Sequence, residues 1–87
     1  MNESEDTGMK THYICQTYST KKGGLAVDKL FQYTTAAQAQ ERAEREARSD
    51  ACAGADAYMV IEDASSGEVG PPQFLVRCGN VPEHDDF

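Results

Sequence analysis

Apolar and polar positions change period twice along this chain, and the changes mark its elements. The run "THYICQTYS" is rich in β-branched and aromatic residues and predicts a first strand beginning near His12. "TKKGG" follows as a turn, where Gly23 and Gly24 can take positive φ without a Cβ clash. The next run, "LAVDKLFQY", alternates as a returning strand with Leu25, Val27, Phe31 and Tyr33 on one face. Lys29 breaks that alternation, which predicts a bulge or a position near the sheet edge.

The spacing then lengthens to three and four. In "TTAAQAQERAEREAR", residues 34–48, Ala36, Ala39, Ala43 and Ala47 form one smooth helical stripe. Thr35 and Gln38 have capping-box spacing: the hydroxyl accepts from a free amide while the glutamine reaches back. Glu41 with Arg45 and Glu44 with Arg48 set carboxylates four residues before guanidiniums, each pair worth roughly 0.2–0.5 kcal/mol on an exposed helix. Alanines bury little area but admit close approach, so the larger core side chains are expected from a sheet beneath the helix. "SDACAGAD" predicts the helix end, with Gly54 as a left-handed cap.

"AYMVIED" and "QFLVRC" predict third and fourth strands, and "ASSGEVGPP" between them a loop wider than a tight hairpin turn. The expected fold is therefore α+β in ββαββ order: a small single domain with a mostly antiparallel three- or four-stranded sheet and one helix packed across one face. Residues 11–79 form this domain, residues 1–10 predict a flexible acidic segment and residues 80–87 an acidic tail. Alternation sets Ile14 and Tyr18 against Tyr13 and Cys15, and Tyr58 and Val60 against Met59 and Ile61. Because one helix covers one face, apolar side chains are expected to remain on the other.

Composition sharpens this picture. A chain of 87 residues makes one domain and buries only about 60–65% of its extended surface, so the core is small. Net charge is −7 and uneven: residues 9–33 carry +3, whereas residues 49–69 carry −5. That sign opposes direct binding of nucleic acid, which draws on clustered Lys and Arg, and favours a partner protein with a basic surface. The start "MNESEDTG" lacks the pattern of a signal peptide, and no apolar run approaches the roughly 20 residues that span a bilayer, so no membrane is expected. Cys15, Cys52 and Cys78 are an odd number at wide spacing, which fits free thiols in a reducing cytoplasm.

Catalytic and metal-binding patterns are weak. His12 and Cys15, three apart on a strand, point to opposite faces, and His84 falls in the tail. His12 and Cys15 form one loose ligand pair without a second, and Glu83, His84, Asp85 and Asp86 read as solvated tail. "KKGG" lacks the phosphate-loop pattern, and Tyr13, Tyr18 and Tyr33 have no basic groove around them for stacked bases. Asp28, Glu62, Asp63 and Glu68 show no convergent spacing, and a domain this small is expected to have little room for a pocket of roughly 300 Å³. No cofactor or metal is expected, and the chain is read as no enzyme. The expected function is a protein-binding module using the sheet face away from the helix, with Asp56, Glu62, Asp63, Glu68, Tyr13 and Tyr58 as candidate contacts. Its sharper form is an inhibitor whose acids imitate a nucleic-acid backbone, as small proteins of phages and mobile elements do. The alternatives are a homodimeric structural or accessory domain and a small enzyme using Cys15 or Cys52.

Overall fold

A computed structural model describes residues 8–82. Strands β1 (Met9–Lys21) and β2 (Gly24–Tyr33) precede helix α1 (Ala36–Ala47), and β3 (Gly54–Asp63), β4 (Glu68–Val69) and β5 (Gln73–Gly79) follow it. The fold is α+β in the expected order, with one antiparallel sheet arranged β2-β1-β3 and with β4 and β5 sharing the far edge of β3. Residues 1–7 of the expected acidic segment and 83–87 of the expected tail lie outside the described residues, and β1 begins at Met9, ahead of the expected His12.

The bulge forms where Lys29 breaks the pattern. Register passes from Gln16 opposite Leu30 to Tyr18 opposite Val27, so Asp28 and Lys29 together face Thr17. Thr17 Oγ1 accepts the Lys29 amide at 3.0 Å, which satisfies a donor that the ladder leaves over. The extra residue also reverses the alternation. Val27 therefore lies on the face of Tyr18 while Phe31 lies on the face of Cys15, so the four residues expected on one side are divided between two.

Helix α1 starts as its spacing predicts. Thr35 Oγ1 accepts from the Gln38 amide at 3.2 Å, while Gln38 Oε1 reaches Thr34, one residue before the expected partner. Ala39 and Ala43 are fully buried against Cys15, Ala55 and Ala57, and Tyr13, Phe31, Tyr33, Leu75 and Val76 pack around this centre. The sheet thus meets the alanine stripe with small residues of its own, and the larger side chains form a ring rather than the expected centre. Arg42 extends the ring: its guanidinium lies 3.9 Å over Phe31, and its Nε donates to Glu46 at 2.8 Å. This Arg42–Glu46 pair is the one formed along the helix, in place of Glu41–Arg45 and Glu44–Arg48.

Two connections differ from expectation. The helix closes on Arg48 in right-handed conformation, and Gly54 instead opens β3, where an added Cβ would lie 2.3 Å from the Asn80 carbonyl oxygen. Gly54 answers a close crossing of backbones rather than a left-handed cap. Asn80 donates to Ala53 O at 3.0 Å, so residues 80–82 still belong to the folded body. Between β3 and β4 the chain turns tightly, with Gly67 at φ 78° and Asp63 Oδ1 accepting from the Ser65 amide and hydroxyl at 3.0 and 2.7 Å. The expected wide loop is this turn plus a short interruption at Gly70, Pro71 and Pro72, where proline lacks a ladder donor.

Candidate functional site

On the sheet face opposite α1, strand alternation gathers Ile14, Gln16 and Tyr18 of β1 with Asp56, Tyr58, Val60 and Glu62 of β3. Val27 and Leu30 extend this face at the β2 edge, and Val69, Phe74 and Arg77 at the opposite edge. Its polar groups bond one another. Asp56 is 0% exposed, and its carboxylate accepts from Arg77 Nε at 3.0 Å and from the Tyr18 hydroxyl at 2.8 Å. Gln16 donates to the Tyr18 oxygen at 2.7 Å and accepts from Tyr58 at 3.3 Å. Arg77 also lies 4.3 Å over the Phe74 ring and donates to the Pro82 carbonyl.

His12 closes a second chain across the strands. Gln32 Nε2 donates to its Nδ1 at 2.7 Å, which leaves the ring proton on Nε2 for Glu62, 2.8 Å away. The phenol of Tyr18 is pushed above its ordinary value by burial and by its bond to Asp56, and burial then the nearby Asp56 charge raise that of Tyr58. Both hydroxyls therefore stay protonated as donors at neutral pH.

Beside these groups the face is concave. A groove of about 440 Å³ runs along the interruption between β4 and β5, with Tyr58, Val60, Val69, Pro72 and Phe74 as its apolar lining and Gln16, Tyr18 and Arg77 as its polar part. This corrects the expectation that so small a domain leaves little room for a pocket. A break in the edge strand creates the space without enlarging the core.

The sequence-derived candidates separate. Asp56, Tyr58 and Glu62 share the open face, but Asp56 is enclosed and Glu62 is held by His12. Asp63 and Glu68 stand opposite each other at the β3–β4 turn, on the other side of the sheet from Glu62. Hydrogen bonds from Ser65 hold the Asp63 carboxyl below its usual range. Tyr13 lies under the helix against the alanine core, away from Tyr58. Of the groove residues only Tyr58 was a sequence-derived candidate; Gln16, Tyr18, Val60, Val69, Pro72, Phe74 and Arg77 were missed. Arg77 carried a signal: a single cation inside the apolar run "QFLVRC" asks for a buried counter-charge.

The thiols are away from this groove. Cys15 lies on the helix face, where burial raises its pKa to about 11, burial also raises that of Cys78, and the Cys52 thiol donates to Gly54 O. Among the described residues no cluster of three or more His, Cys, Asp or Glu is arranged to hold a metal, and no helix is long and apolar enough to cross a membrane. Comparison with protein-family models, curated proteins and solved structures finds no match to this chain.

Proposed function

We propose that this protein is a non-enzymatic binding module that docks a protein surface on the open face of its sheet. The observation carrying this reading is where its most exposed large apolar side chains fall. Among the described residues Leu30 at 61% and Val27 at 53% exposure lie on that face at the β2 edge and Val69 at 57% lies on it at the groove, while Met9 at 57% lies on the other face. Apolar side chains left exposed on one sheet face, with a groove in that face, are features of surfaces that another molecule covers. The internally bonded polar groups between them lower the cost of removing water from the face. A non-catalytic role is supported by the state of the reactive groups: Asp56 is neutralised by Arg77, and the Cys15 thiol is protonated and buried beneath the helix.

Charge mimicry is the second reading. It is supported by the net charge of −7 and by exposed acids at the β3–β4 turn and along α1, where Glu68, Glu41 and Glu44 reach solvent. The two readings place the binding energy on different residues, and affinity capture from the source cells separates them. Under face docking, Leu30→Glu abolishes capture of the partner, whereas the double variant Asp63→Asn/Glu68→Gln retains it. Under mimicry the double variant weakens capture, and so does added salt. Retention of the partner by Leu30→Glu overturns the face as the docking site.

A further inference from the structure

We infer that the groove is filled in cis by the chain's own residues 83–87, with the Phe87 ring against Val60 and Val69 and a carboxylate of the same segment on Arg77. Pro82 brings the chain there. Beyond β5 the Asn80 amide donates to Ala53 O, and Pro82 then stands in the groove wall with its carbonyl held by Arg77 Nη2. The residues that follow therefore set out from the groove itself. Along β3 the Tyr58 and Val60 rows lie two and four residues beyond Asp56, which stands opposite Arg77; these steps are about 7 and 13 Å at the rise of a strand. Five extended residues reach about 17 Å, so Phe87 comes to the far apolar end within its tether.

Charge favours this segment. Its sequence, EHDDF, joins one large apolar side chain to three acids. Asp56 is 0% exposed while the Arg77 side chain is 26% exposed, so the member of the pair that meets solvent is the cation. Arg77 spends Nε and Nη2 on Asp56 and Pro82, and among the described residues Nη1 has no acceptor. A carboxylate from Glu83, Asp85 or Asp86 supplies one, in the charge-assisted form that a guanidinium favours. Residues 8–82 carry a net charge of only −1, so the rest of the molecule sets little repulsion against three more acids.

The apolar half fits in the same way. Tyr58 and Phe74 meet edge to face with ring centroids 5.9 Å apart, and Val60, Val69 and Pro72 continue the lining. A further ring packs well beside such a pair. Phe87 is the one Phe, Tyr or Trp outside residues 8–82. Its tether raises the local concentration at the groove to the millimolar range, so a contact too weak to hold a free peptide is populated here. The Leu30 and Val27 edge stays open, and the inference goes beyond the docking reading without needing it: any partner that uses the groove has to displace this segment first.

Nuclear magnetic resonance on the dilute full chain, with no partner present, tests this. The expected result is nuclear Overhauser contacts from the Phe87 ring to the methyl groups of Val60 and Val69. Phe87→Ala is expected to remove the ring-current shift of those methyls and to leave the Leu30 and Val27 methyls in place. Replacing the three acids together (E83Q/D85N/D86N) is expected to weaken the same contacts, and no change there overturns the carboxylate on Arg77. A Phe87 ring without contact to the groove overturns the inference, and so do groove methyls that Phe87→Ala does not move. In a mixture of labelled and unlabelled chains, contacts seen between copies assign the segment to a neighbouring molecule and overturn it as well. The docking reading is tested apart from this, by Leu30→Glu in affinity capture. An empty groove with capture lost in Leu30→Glu leaves docking standing alone, whereas an occupied groove with capture retained leaves only the present inference.

Discussion

Asp56 and Arg77 form one electrostatic unit, but its two halves are placed differently. The aspartate has no contact with solvent, whereas the arginine side chain is 26% exposed and also reaches the Pro82 carbonyl. Arg77→Ala therefore leaves a carboxylate with neither water nor counter-charge, at a cost of about 3 kcal/mol, while Asp56→Asn leaves a guanidinium that can turn outward and costs less. Urea midpoints at constant slope check the order, and equal losses would contradict it. Cys15 makes a second prediction. Its thiol keeps a proton to about pH 11, against an ordinary value of 9.0. Between those values the unfolded chain has lost the proton and the folded chain holds it, so stability falls as pH rises, by up to about 3 kcal/mol. Cys15→Ala should flatten that slope in unfolding measured from pH 8 upward. At this scale residue chemistry was legible and partnership was not. The acidity of Asp56 is plain in the sequence, but its neutralisation depends on Arg77, which only strand register brings beside it.

Among the elements, helix α1 was the most legible because its signals are local. Thr35 and Gln38 are neighbours in sequence, and the alanine spacing repeats within single turns. The centre of the interface was less so, because Ala55 and Ala57 reveal their facing only once β3 is paired. Contact of small residues on both sides predicts intolerance to bulk. Ala43→Leu should lift the helix from β3 and cost about 1–3 kcal/mol, whereas the same change at Ala37, on the exposed side, should be near neutral. Thermal unfolding of the two variants decides this. Strand faces were the least legible feature. One residue inserted at Asp28–Lys29 moves Val27 to the open face, and the alternation of β2 does not show on which side of the bulge each residue falls. The same bulge is why the open face holds an apolar edge.

At the scale of the molecule, stability is unevenly distributed. β3 lies between β1 on one side and β4 and β5 on the other, and the helix packs over it. By contrast β1 runs past the end of β3 at Tyr18, so Ser19–Lys21 pair only with Gly24–Ala26 and form a two-stranded arm. A two-stranded ribbon alone is marginal in water. Native-state hydrogen exchange should therefore show Thr20–Leu25 opening at low free energy and the β3 amides from Ala55 to Tyr58 among the last to exchange. Uniform protection across both would contradict the unequal pairing. The order of the sheet was not readable beforehand, since nothing local to β3 says that a strand more than thirty residues earlier becomes its neighbour.

The bulge at Asp28–Lys29 lies in one edge strand of the sheet, and Pro71 and Pro72 interrupt the opposite edge between β4 and β5. Each spoils the regular row of amides and carbonyls on which a further strand would template. Lateral, open-ended growth by strand addition is thereby obstructed at both margins.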